Sequence, residues 1–172
     1  MNINTEAIRR VRDELLRREF SGGAVPEHAR SGSSATLDPR QRAAMLRRVE
    51  PFAETMYLVM MADSESASVE RRAVVAALDL LTGGMVDAKD LHAMLERFDD
   101  NAQREGSEGR LMRLGSVLAG DRDDRETAFT LAAVVALADE RVELSENRVL
   151  DWVREYFGVS RRRAADLLES ID

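Results

Sequence analysis

The sequence predicts an all-α fold, and three observations lead to this prediction. The 172 residues contain only 3 Pro and 10 Gly, which leaves long segments without a helix breaker. Apolar residues recur at helical spacing along most of the chain, and no stretch alternates with the two-residue period of a strand. Residues typical of helix starts and helix ends separate these segments. A chain of this length can bury a sizeable core within one domain.

The chain divides into an N-terminal helix, a linker and a body. Residues 1–20 contain an amphipathic helix, because four apolar residues share one helical face: Ile8, Val11, Leu15 and Leu16. Residues 21–38 are rich in Ser, Gly and Ala without periodicity, which predicts a flexible linker. Asp38 followed by Pro39 is typical of a helix start. The body is therefore predicted to occupy residues 39–172.

The body is predicted to be a bundle of about seven helices followed by a short one. The predicted segments are 39–49, 51–62, 69–82, 88–104, 108–119, 124–138, 146–157 and 161–170. Pro51 is expected to open the second helix. Asp87, Asp123 and Ser160 are expected to accept a hydrogen bond from a free N–H group at a helix start. Glycines follow several of the segments and predict their ends.

Charge is distributed unevenly between the two parts of the chain. Residues 1–50 hold ten Arg and seven acids, a net of +3, whereas residues 51–172 hold 15 basic and 25 acidic residues, a net of −10. An acidic body argues against nucleic-acid binding, which depends on neutralising phosphates. It suits a cation or a basic protein partner.

The remaining composition narrows the class of protein. The absence of Cys excludes disulfides and thiolate metal sites. No apolar run approaches the ~18 residues of a membrane span, and the N-terminus lacks the apolar core of a signal peptide. We therefore expect a soluble, cytoplasmic protein with no membrane insertion.

A shift of 76 residues aligns two parts of the body. The stretch "LVMMADSESASVERRAVVAALDLL" at 58–81 falls on "VVALADERVELSENRVLDWVREYF" at 134–157. Three matched pairs have the i, i+3, i+7 spacing of one helical face: Val74 with Leu150, Ala77 with Val153, and Leu81 with Phe157. This predicts an internal, pseudo-symmetric duplication of a helix–loop–helix–helix unit, with the two copies packed together.

Each copy carries an Asp and a Glu seven residues apart, Asp63 with Glu70 and Asp139 with Glu146. A Glu in the first turn of a helix is favoured by the helix dipole, but an Asp where a helix ends is not. Either the Asp braces the loop through N–H groups or a nearby Arg, or both acids bind a hard cation. Oxygen ligands alone predict Ca²⁺ or Mg²⁺.

An Ala-Asp that ends an apolar helix, a short polar loop and a Glu seven residues later resemble the TerB-like family, over residues 39–170. The resemblance implies a pseudo-symmetric helical bundle, and it links the chain to tellurite resistance through the family name alone. It also implies a metal site at four residues: Asp63, Glu70, Asp139 and Glu146. The family usually has Gly after each Asp, whereas this chain has Ser64 and Glu140, which counts against a bound ion.

The functional hypothesis is a non-enzymatic domain that acts in stress response or assembly through protein contacts. No Gly-rich phosphate loop, serine elbow or di-iron motif indicates an enzyme. The alternative is an adaptor that docks to a protein partner through its N-terminal helix, unless that helix packs on its own body or on a second copy in a homo-oligomer. The acidic stretches "FDDNAQREGSEG" and "DRDDRE" are expected to be solvated helix ends.

Overall fold

The computed structural model describes residues 4–19, 39–62, 67–84, 86–137 and 148–171. These residues form eight α-helices and no strand, which confirms the predicted all-α fold. The helices are α1 Thr5–Glu19, α2 Pro39–Met61, α3 Ala67–Thr82, α4 Ala88–Glu105, α5 Ser107–Leu118, α6 Arg122–Leu137, α7 Arg148–Tyr156 and α8 Arg161–Glu169. None of the described helices is both long enough and apolar enough to cross a membrane.

Helices α2 and α6 form the centre of the bundle and pack against each other. Residues 52–60 of α2 and 131–136 of α6 are buried without interruption, as expected of helices that neighbours cover on every side. Around α2 lie α3, α4, α5 and α7, and around α6 lie α1, α5, α7 and α8. The core is built mainly from Ala, Val, Leu and Met, with Phe52, Phe98, Phe129 and Phe157 as its phenylalanines.

The prediction that Pro51 opens a helix was wrong, because α2 runs through it from Pro39 to Met61. A proline inside a helix loses one backbone hydrogen bond and costs about 3 kcal/mol. Burial offsets this cost, since the residues that follow Pro51 are the most buried part of the helix. The hydroxyl of Thr55 also donates to the carbonyl oxygen of Pro51 at 2.8 Å. The two segments predicted at 39–49 and 51–62 are thus one helix.

The helix starts depend on local side-chain contacts, two of which match the prediction. Asp87 accepts a hydrogen bond from the backbone N–H of Asp90 at 2.8 Å, and Ser160 caps α8 in the same way. At α6 the prediction was wrong by two residues. The side chain of Asp121 accepts hydrogen bonds from the backbone N–H groups of Asp123 and Asp124. Asp123 therefore lies within the first turn of α6.

Helix α1 packs on the body of its own chain, between α3 and α6. Ile8 is fully buried there, and Leu15 is buried as well. Asn4 caps α1 by accepting from the backbone N–H of Ala7 at 3.1 Å, and its Nδ2 donates to the carbonyl oxygen of Ile171 at 3.0 Å. The amphipathic helix was predicted to dock on a partner, on its own body or on a second copy, and in the structure it packs on its own body. The linker predicted at 21–38 lies outside the described residues.

Helix pairing follows the same pattern in the two halves of the chain. Helix α1 contacts α3 and α6, while α5 contacts α7 and α2, so that α1 and α5 have corresponding neighbours. Arg48 and Asp124, which correspond under the 76-residue shift, are themselves in contact where α2 meets α6. The pattern agrees with the predicted duplication of a helix–loop–helix–helix unit. The internal duplication stays a prediction.

Candidate functional site

The four predicted carboxylates lie at two helix connections. Asp63 belongs to the connection between α2 and α3, and Asp139 and Glu146 to the one between α6 and α7; all three are outside the described residues. The backbone of Glu70 is in the first turn of α3, as predicted, and its side chain is outside the described part. The structure therefore shows the helices on either side of both connections. It does not test the predicted metal site, whose side chains are outside the described part.

A cavity of about 820 Å³ lies where the described ends of these connections meet α5. Ala62, which precedes Asp63, and Arg148, which begins α7, both line it. The other described lining residues come from the α4–α5 corner, α5 and α7: Glu105, Gly106, Ser107, Glu108, Gly109, Met112, Val149, Trp152 and Tyr156. One cavity therefore borders the end of α2 and the beginning of α7, and with them both connections.

Tyr156 and Glu108 connect α7 to the beginning of α5 at the edge of this cavity. The Tyr156 hydroxyl donates to Oε1 of Glu108 at 2.5 Å. This hydrogen bond to a carboxylate raises the pKa of Tyr156, because the neutral phenol is the form that donates. Trp152, one turn away on α7, is half-buried and places its indole against the same cavity. The cavity is thus lined by aromatic and acidic groups.

Behind the cavity, a buried ion pair fixes α5 against α2. Glu54 of α2 is only 1% exposed, and the Arg110 guanidinium donates to both of its carboxylate oxygens at 2.6 and 2.9 Å. Asn101 of α4 donates to the same carboxylate at 3.1 Å. The bond to Glu54 raises the pKa of Arg110 above its ordinary value. These contacts stabilise the α4–α5 corner, where Glu105 in turn forms an ion pair with Arg113, with 3.1 Å between Oε2 and Nε.

A second bidentate pair joins α2 to α6. Asp124 is 6% exposed and accepts from both terminal nitrogens of Arg48, at 2.5 and 2.6 Å. The Arg48 guanidinium also lies 5.5 Å from the centre of the Phe52 ring. The expectation that "DRDDRE" is a solvated helix end was therefore wrong for Asp124. "FDDNAQREGSEG" was misjudged in the same way, since its Asn101 contacts buried Glu54.

Glu126 of α6 connects α6 to α8 beside α1. Its carboxylate accepts from Arg163 at 2.8 Å and from Arg122 at 2.8 Å. The pKa of Glu126 is lowered, first because Arg163 donates a hydrogen bond to the ionised form. Glu126 and Arg163 border a cavity of about 310 Å³ together with Arg10 and Val11 of α1.

The described residues do not by themselves form a metal centre. Within them no group of three or more His, Asp or Glu is placed to hold a metal ion. His92 lies exposed on α4, with Nδ1 2.6 Å from the carbonyl oxygen of Ala88 in its own helix. The buried acids contact Arg, which braces the fold without presenting a reactive group.

These features define an all-helical domain whose central pair of helices is braced by buried Arg–carboxylate contacts. A family model described as "Tellurite resistance protein TerB" matches residues 51–168, more than half of the chain. The chain therefore belongs to the TerB family, which confirms the resemblance found in its sequence. Comparisons with curated proteins and with solved structures gave no match.

Proposed function

We propose that this chain is a non-enzymatic TerB-family domain that binds one divalent cation and acts in stress response or assembly through contacts with another protein. The residues proposed to hold the ion are Asp63, Glu70, Asp139 and Glu146. Their oxygen atoms suit Ca²⁺ or Mg²⁺ better than Zn²⁺ or Cu²⁺.

The observation that carries the cation proposal is the shared cavity. Ala62 and Arg148 both line it, and each lies next to a different one of the two connections that the 76-residue shift relates. Asp63 follows Ala62 directly, and Glu146 precedes Arg148 by two residues. This supports a site that takes acids from both connections, whose combined negative charge a divalent cation would neutralise.

The fixed scaffold behind the cavity supports the same proposal. Carboxylate ligands bind a cation well when the elements that carry them are held in place. Here Arg110 joins α5 to α2, and Arg48 joins α2 to α6. The helices that lead into both connections thus cannot shift independently. The net charge of −10 over residues 51–172 supports a basic surface on the partner protein.

Thermal unfolding of the full chain with and without Ca²⁺ or Mg²⁺ tests the cation proposal. Ligand at a hundred times its Kd stabilises the folded state by about 2.7 kcal/mol, which at this chain length raises Tm by roughly 5–10 °C. Asp63→Asn combined with Asp139→Asn should abolish the shift.

The matched control is Asp79→Asn combined with Asp166→Asn, two exposed acids on α3 and α8. It removes the same charge and should leave the shift intact. An unchanged Tm at millimolar Ca²⁺ and Mg²⁺ would reject the cation site, and an equal loss in both double variants would assign the shift to general charge screening.

A further inference from the structure

Helices α1 and α5 have corresponding neighbours but are attached to the molecule differently. Helix α5 is joined to α4 through Gly106 alone and to α6 through residues 119–121. Its Arg110 forms the buried bidentate pair with Glu54. Short connections and a buried ion pair both oppose its release from the bundle.

Helix α1 has a long connection to α2, and the part of it whose side chains the structure describes contacts the body through apolar residues. Its buried residues are Ala7, Ile8 and Leu15. Four described charged side chains of α1 pair within the helix itself, Arg10 with Glu6 and Arg12 with Asp13. Among the described side chains of this region, Asn4, which lies before the helix, donates a hydrogen bond to the carbonyl oxygen of Ile171 in the body.

The connection between α1 and α2 comprises residues 20–38, nineteen residues. A flexible tether of this kind holds α1 at an effective concentration on the order of millimolar at its own groove, so a second copy competes for the groove only at comparable protein concentrations. The α1 of a second copy would make the same contacts in the groove between α3 and α6. Exchange of an identical element in this way costs little, because only the path of the connection changes.

The groove itself belongs to the TerB domain, whereas its occupant does not. Helices α3 and α6 lie within the matched residues 51–168, and α1 lies outside them. We propose that the groove between α3 and α6 is an exchangeable helix-binding site, and that at high protein concentration it takes α1 of a second copy to form a reciprocal dimer. This interaction is independent of the cation site.

The first test uses a fluorescein-labelled synthetic peptide of residues 1–20 and the full-length Ile8→Asp variant, whose own α1 is weakened at its most buried position. In fluorescence anisotropy, the wild-type peptide should bind this variant at least tenfold more tightly than it binds the wild-type chain. An Arg9→Ala peptide, altered at an exposed position, should bind equally well, and an Ile8→Asp peptide should not bind. Failure of the wild-type peptide to bind the folded variant would overturn the proposal.

The second test does not depend on the folding of the Ile8→Asp variant. Because the chain contains no cysteine, Lys89→Cys on the exposed side of α4 gives a single labelling site. Donor- and acceptor-labelled copies mixed at about 1 mM, near the effective concentration of a tethered helix, should show energy transfer. An excess of wild-type peptide should remove the transfer, and the Ile8→Asp peptide should not. Absence of energy transfer, or energy transfer that an excess of wild-type peptide does not reduce, would contradict the reciprocal dimer.

Discussion

Gly115 of α5 lies where α5 and α7 approach each other most closely, and replacing it tests that packing directly. A Cβ atom at this position would collide with the carbonyl oxygen of Tyr156 and would lie 2.8 Å from its carbonyl carbon. It would also lie 3.1 Å from Cδ1 of Phe157, a fully buried ring. The obstacle is largely backbone, so the two helices must separate to accommodate Gly115→Ala.

The expected change in the free energy of unfolding follows from two opposing effects. Overpacking a core contact costs about 1–3 kcal/mol, whereas Ala in place of Gly inside a helix gains about 0.5–1 kcal/mol. The difference between these two ranges is a destabilisation of up to about 2.5 kcal/mol for Gly115→Ala. At Gly109, two turns earlier on α5, the nearest atom to an added methyl group would be Cβ of Glu105 at 4.0 Å. Gly109→Ala should gain the helix propensity of Ala without a steric cost, and should therefore stabilise the protein.

Urea denaturation of both variants, followed by the fluorescence of Trp152, measures this difference. Trp152 is the single Trp of the chain and lies on α7, beside the altered contact. The same chemical change should shift the midpoint in opposite directions at the two glycines. Shifts of equal sign and size would show that α5 and α7 do not meet as the structure places them.

Three further substitutions test the buried contacts. Glu54→Gln removes the buried charge that Arg110 contacts most closely, while Glu105 remains 3.7 Å from Arg110, and should cost about 1.5–3 kcal/mol in urea denaturation; a change below about 0.5 kcal/mol would contradict the buried pair. Ile8→Ala should cost about 2–5 kcal/mol, whereas Arg9→Ala should stay within about 0.5 kcal/mol, and equal effects would place α1 away from the core. The folded-state pKa of Glu126 is lowered, so its contribution to stability is present above the ordinary carboxyl pKa and is lost as pH falls through the lowered value. Glu126→Gln should therefore lose less stability than the wild type in acid, and parallel pH profiles would refute the assignment.

The helices could be predicted from the sequence because their signals are local. Caps such as Asp87 and Ser160 depend on residues three positions away, and apolar periodicity identifies the buried faces. Pro51 misled the prediction because its local signal marks a helix start, whereas burial against distant helices decides that α2 continues. Tertiary packing thus outweighed the local preference of proline for the first position of a helix.

The buried ion pairs could not be predicted in the same way. Arg48 and Asp124 are 76 residues apart, and Glu54 and Arg110 are 56 apart, so neither pair leaves a pattern along the chain. The repeat did contain one signal for the first pair, because the 76-residue shift matches Arg48 with Asp124. The predicted carboxylate site remains a prediction, since Asp63, Asp139 and Glu146 lie outside the described residues.

Calorimetric titration of Ca²⁺ into the full-length protein tests most directly whether the two connections share one ion. The shared cavity predicts one ion per chain, and either Asp63→Asn or Glu146→Gln alone should abolish its binding. Two ions per chain, each lost with the acids of one connection only, would contradict a shared site, and the absence of any saturable heat would contradict a cation site altogether.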